Sequence, residues 1–282
     1  MAKDTKRQRL RVGEDEIEYD DVGEGEPILL VHAGVFSDWF APVAATDELA
    51  RFRVIRPRRA GYVTGTAASG HLTIADHARH CGLLLDELGL ATAHFCGHSS
   101  SALIGLQLAL DRPRLVQSLI LLDPAPCGDL LGPINSPVIG QVLGPAMAAY
   151  ASGDTSTGFD RFMTAVCGAH HRTVMEGILG VDGYEQAVRE SAFFPDEAAA
   201  AMEWRFDAAD AGRIRAPMLI VEGGRTAEVA AVLPESVGLL AAMVPHAEVA
   251  VLAGASHLMP LEDPRGVARL IGDFARKHRI AA

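Results

Sequence analysis

Closely spaced cysteines are missing from this chain. Its four, Cys81, Cys96, Cys127 and Cys167, are far apart and include no Cys-x-x-Cys pair. That spacing argues against a zinc knuckle or a disulfide framework and points to a reducing, cytoplasmic setting. An excess of positive charge is missing too. The formal net charge is −11, which disfavours non-specific binding to nucleic acid or to an anionic membrane. Two short basic clusters, Lys6-Arg7 with Arg9 and Arg11, and Arg56 with Arg58 and Arg59, fit a solvated face or one strand with its loop. No apolar run approaches the ~20 residues that span a bilayer. The polar amino terminus, MAKDTKRQRLRVGEDE, lacks the apolar stretch of a secretory leader. Neither a Gly-x-Gly-x-x-Gly nor a P-loop occurs, and no metal-ligand spacing is visible, so no cofactor is expected. His77 and His80 on a predicted helix, and the pair His170-His171, read as surface or core residues.

What is present is the material of a soluble globular protein: 282 residues, 49% hydrophobic and 22% charged. Short apolar runs alternate with stretches of helical period. Predicted strands cover Ile28–Val31, Phe52–Ile55 (stopped by Pro57), His94–Cys96, Leu115–Leu122, Met218–Val221 and Glu248–Leu252. Predicted helices cover Thr73–Leu90, Ala102–Leu110 and about Pro264–His278, with Thr73 placed to cap the first and Gly89 to end it. Segments Lys6–Val12 and Ile17–Asp21 read as an antiparallel hairpin ahead of them. The pattern is α/β, a mostly parallel sheet with helices on both faces. Between about Pro124 and Ala216 the alternation stops and only helix-like segments occur: Pro137–Tyr150, Gly158–Cys167, Thr173–Leu179, Tyr184–Phe193 and Pro195–Ala209. We therefore expect a core of residues 1–123 and 217–282 with an inserted helical cap, 124–216. The run EAAAAM at Glu197–Met202 reads simply as a helix former.

The chemistry concentrates at C-G-H-S-S-S-A, residues 96–102. Ser99 follows a predicted strand and opens a predicted helix. A serine on such a turn projects its hydroxyl clear of the sheet, with the next N–H, of Ser100, at the helix start facing any oxyanion. Gly97 and Ser101 are small enough for the crowded turn. Ser100 is expected to point into the helix start and Ser101 against the neighbouring strand. Taken alone, the segment equally admits three serines that only cap a helix. V-H-A-G at Val31–Gly34 offers a second oxyanion donor, the Gly34 N–H, or else a plain glycine turn. G-A-S-H at Gly254–His257, after the last strand, offers His257 as a general base, though a lone loop histidine can be inert.

Taken together with D-R-P at Asp111–Pro113, L-L-D-P at Leu121–Pro124 and the continuation G-A-S-H-L-M-P-L-E-D-P, the chain resembles the α/β-hydrolase fold superfamily over nearly its whole length. The resemblance is to serine-nucleophile members with a helical cap. Most relatives place the acid of the triad in a turn like Gly-x-x-Asp after the strand before the last; here that slot holds Thr226. Glu222 and Glu228 stand out of register. Asp123, after the strand that follows the nucleophile helix, is the better candidate, a position that some haloalkane dehalogenases and cofactor-free dioxygenases of this fold use; its alternative role is to cap the turn into Pro124. The resemblance implies a Ser99–His257–Asp123 triad and acyl transfer on a small apolar ester or lactone. A cofactor-free oxygenase or cyclase using His257 and Asp123 as a base, or a non-catalytic small-molecule receptor, are the alternatives. Trp39, Phe40, Tyr150, Phe159, Phe162, Phe193, Phe194 and Trp204 are candidate walls of the pocket. Oligomeric state is left open.

Overall fold

The computed structural model describes residues 7–125 and 136–280; Lys6 and Cys127 lie outside them. Eight strands form one sheet: β1 (Gln8–Val12), β2 (Asp15–Val22), β3 (Pro27–Val31), β4 (Arg53–Arg58), β5 (Ala93–His98), β6 (Val116–Leu122), β7 (Met218–Gly223) and β8 (Glu248–Leu252), in the spatial order β1-β2-β4-β3-β5-β6-β7-β8. The hairpin β1–β2 is antiparallel and pairs antiparallel with β4; from β4 to β8 every pairing is parallel. The central strands are buried on both faces, as their unbroken apolar runs PILLV and SLILL require. Contrary to expectation, Pro57 does not stop β4. Pairing to β3 ends at Leu29 with Ile55, and β4 continues through Pro57 to Arg58 against β2 alone.

Helices of two turns or more are α1 (Ile74–Glu87), α2 (Ser100–Asp111), α3 (Ser136–Ala151), α4 (Thr155–Cys167), α5 (His171–Glu190), α6 (Phe194–Glu203), α7 (Val232–Met243) and α8 (Pro264–Lys277). The Thr73 hydroxyl accepts from Asp76 N–H, and the Asp76 carboxylate accepts in return from Thr73 N–H, a reciprocal cap that fixes where α1 begins. α5 breaks at Gly180, whose φ of 77° only glycine adopts cheaply, so the two helices expected there meet end to end. Between Leu122 and Met218 the described residues hold no strand. Among the described residues α3 to α6 lie in that interval, and α3, α4 and α6 supply walls of the cavity that opens beside Ser99. Among the described residues no helix is long and apolar enough to cross a membrane. The basic cluster is not a solvated face throughout, since Arg58 and Arg59 are 5% and 3% exposed.

Candidate active site

The carboxyl ends of β3, β5, β6, β7 and β8 meet at one place. β5 ends at His98, Ser99 takes φ 54° and ψ −122°, and α2 begins at Ser100. The turn closes because Gly97 has no side chain: a Cβ there would lie 2.5 Å from the Ser101 carbonyl oxygen. Ser101 packs against the neighbouring strand as expected; its hydroxyl donates to the Val31 carbonyl (2.6 Å) and accepts from His98 N–H (2.8 Å). Only Val35, Ser99 and Asp123 among the described non-glycine residues have positive φ, and all three lie at this site. Backbone strain of that kind costs on the order of 1–3 kcal/mol per residue and persists where the surroundings enforce it.

Asp123 follows β6 and is fully buried. Its Oδ1 accepts from Gly223 N–H (2.9 Å), and its Oδ2 accepts from the Thr226 hydroxyl (2.6 Å) and pairs with His257 Nδ1 (3.2 Å). A carboxylate is acceptor-only, so Nδ1 carries the proton and the Nε2 lone pair is left free. Thr226 thus donates to Asp123 and carries no charge of its own to the site. The loop bearing His257 is held from two sides. Ser256 N–H and hydroxyl both donate to Glu262, and His98 Nε2 donates to the His257 carbonyl (2.9 Å). Burial, and then the neighbouring His257, hold the His98 pKa well below the usual histidine value, which keeps it neutral and fixed as a donor there.

A cavity of about 110 Å³ contains Ser99, His257 and the turn at Gly34, walled by Trp39, Phe162 and Phe194. Ser99 and His257 both face it, without a hydrogen bond between them. Ser100 N–H, the first of α2, donates to no group among the described residues and is open to a ligand. The Gly34 N–H is not open: it donates to the Ser100 hydroxyl (3.0 Å). Ser100 therefore does not point into the helix start as expected; its hydroxyl lies in the cavity and donates onward to Glu197 Oε1. Of the other aromatic residues expected as walls, Phe40 and Phe159 are buried in the core and do not line the cavity. Tyr150 packs on Gly158 and Phe194, Phe193 on Gly61 and Tyr62, and Trp204 stacks on Phe206 with its Nε1 donating to Gln107.

Glu197 lines the cavity and was not singled out by sequence reasoning. It is 1% exposed and accepts from Arg59 Nη2 at 2.9 Å on both oxygens, from the Tyr62 hydroxyl and from Ser100. Burial works to lower the Arg59 pKa, but the Glu197 carboxylate outweighs it and holds it above the ordinary value. Arg59 also orders the Val31–Gly34 turn. Its N–H donates to His32 Nε2 (3.1 Å), so His32 Nδ1–H faces the Ala33 carbonyl (2.7 Å), which also accepts from Arg59 Nη2 (3.2 Å). Two donors on the Ala33 oxygen polarise the Ala33–Gly34 peptide, whose other end is the Gly34 N–H. In sequence Glu197 looked like an ordinary acid in a helix's first turn. Its one distinguishing sign, an uncompensated pair Arg58-Arg59 after an apolar strand, could be read only with the fold in hand. Among the described residues no group of His, Cys, Asp or Glu is arranged to hold a metal ion.

A sheet with this strand order, a strained serine turn after its fifth strand and a histidine after its last agrees with the family comparison. The family model for the alpha/beta hydrolase family matches residues 28–270. The chain belongs to the alpha/beta hydrolase family. It is 33% identical over 113 residues to a putative carbamate hydrolase, RutD, of Azorhizobium caulinodans, a match covering 39% of this chain and 42% of that one. The matched part is thus under half of that relative's length. In fold it is similar to a thermophilic esterase from Thermogutta terrifontis (TM-score 0.77, 22% identity, 98% and 100% of the two chains). It is similar also to the enol-lactonase from Burkholderia xenovorans (TM-score 0.75, 22% identity, 95% and 100%).

Proposed function

We propose that this hydrolase cleaves a small carboxylic ester or lactone through an acyl-enzyme on Ser99. His257 Nε2 takes the Ser99 proton as Oγ attacks the carbonyl carbon. The carbonyl oxygen becomes an oxyanion bonded to Ser100 N–H and to the Gly34 N–H once the Ser100 hydroxyl yields it. Asp123 Oδ2 stabilises the imidazolium through Nδ1. The imidazolium then protonates the departing alkoxide, which in a lactone stays tethered to the acyl group. Water, deprotonated by His257, attacks the acyl-enzyme and returns Ser99 with the free acid. The contact between Ser99 and His257 closes when substrate arrives, as such contacts commonly do.

The observation that carries this reading is the strained Ser99 turn facing the same cavity as His257, whose Nδ1 is paired with a buried carboxylate. The small cavity and its apolar walls support a compact acyl group. A helical cap over the site, and relatives named for carbamate, ester and enol-lactone chemistry, are consistent with C–O bond cleavage at an acyl carbon. The test is turnover of p-nitrophenyl acetate and of a γ-lactone by the wild type and Ser99→Ala. The variant is expected to lose at least about 10³-fold in kcat. Equal turnover by the variant would move the chemistry to the His257–Asp123 base acting without an acyl-enzyme.

A further inference from the structure

One buried group in the cavity has no part in the mechanism above beyond yielding the Gly34 N–H: the Ser100 hydroxyl. It accepts from Gly34 N–H at 3.0 Å and donates to Glu197. The direction of both bonds is fixed. Arg59 and Tyr62 hold Glu197 as a carboxylate, which has no proton to give. Ser100 must therefore give its proton to Glu197, and only its lone pairs face the cavity side. A bond to a charged acceptor is the stronger kind, so the hydroxyl stays on Glu197 when substrate binds.

Substrate binding then creates an imbalance. A carbonyl oxygen that takes the Gly34 N–H leaves the Ser100 oxygen as a buried acceptor with no donor, among Trp39, Phe162 and Phe194. Buried acceptors left unmet are costly, and a site that hydrogen-bonds its substrate discriminates sharply against analogues lacking the matching group. The substituent closest to a bound carbonyl oxygen is the one on the atom next to the carbonyl carbon. We infer that Ser100 Oγ, oriented by Glu197, is the specificity-determining acceptor for a hydrogen-bond donor at that position. The substrate class is acyl compounds with a 2-hydroxyl or with N–H on the atom adjacent to the carbonyl. The inference rests on the acyl-enzyme reading and narrows it.

The decisive comparison uses p-nitrophenyl esters of propionic, 2-fluoropropionic and 2-hydroxypropionic acids, both enantiomers, with kcat/KM measured on the wild type and Ser100→Ala. Fluorine matches the hydroxyl in size and withdraws electrons more strongly, but donates nothing. The wild type is expected to favour the better 2-hydroxy enantiomer over its 2-fluoro counterpart about tenfold. In Ser100→Ala that ratio falls to about one while kcat/KM for the plain propionate rises, because the Gly34 N–H starts free. A merely structural role for Ser100 would lower all three substrates together and leave the ratio intact; that result overturns the inference. A wild-type ratio near one, with propionate still turned over, overturns it alone and needs no variant. No turnover of any of the three esters by the wild type overturns it together with the acyl-enzyme reading.

Discussion

Asp123 satisfies three donors with two oxygens: Gly223 N–H, the Thr226 hydroxyl and His257 Nδ1–H. Replacing it with asparagine turns one acceptor into a donor and forces either the imidazole into the wrong tautomer or the amide against Thr226. Asp123→Asn is expected to lower kcat by about 10³–10⁴-fold, measured on p-nitrophenyl acetate. Thr226→Val removes one hydrogen bond to a charged oxygen and should cost only about tenfold. Comparable losses in the two variants would show that Thr226 does more than support the acid. The place of Asp123 at a strand end was legible in the apolar runs, whereas its candidacy as the acid came from the resemblance to members of this fold that carry one there. The Thr226 bond was not legible, since it depends on how far β6 and β7 each run before turning. Glu197 and Arg59 were illegible for a related reason: their partnership joins residues 138 positions apart, and neither has a local pattern that announces it.

At the scale of elements, the turn between β5 and α2 makes strict demands on its backbone. An alanine at Gly97 would press its Cβ on main-chain atoms of Ser101 and Ala102, which cannot swing aside as a flexible side chain would. Gly97→Ala should destabilise the fold by about 3 kcal/mol, read from urea unfolding. Gly238→Ala, in the exposed middle of α7 with open space around its Cα, should instead stabilise by about 0.5–1 kcal/mol. Equal effects would mean that the turn relaxes more easily than its geometry implies. The central parallel strands were readable because burial on both faces leaves unbroken apolar runs. α7 was not, because VLPESVGLLAAM is apolar almost all round and is interrupted by Pro234 and Gly238. Nor was the path of β4 past Pro57, which depends on where its neighbour β3 stops pairing.

For the molecule as a whole, the buried histidines set the response to acid. Burial holds His32, His77 and His98 well below the usual histidine value, and the positive Arg59 adds to this for His32 and His77. The unfolded chain binds protons at these residues near pH 6.5 while the folded chain does not. Their contribution to stability is therefore complete above about pH 6.5 and is lost as pH falls, by up to roughly 1.4 kcal/mol per pH unit for each histidine. The urea midpoint should drop steeply from pH 7 to pH 5, and an unchanged midpoint would contradict the burial of these rings. The central claim, that Ser99 is a nucleophile activated by His257 and Asp123, is tested most directly on the intact chain with a fluorophosphonate. One covalent adduct per molecule, mapped to Ser99 by peptide mass spectrometry and formed far more slowly in Asp123→Asn, is the expected result. An unlabelled protein, or an adduct on Ser100 or elsewhere, would contradict it.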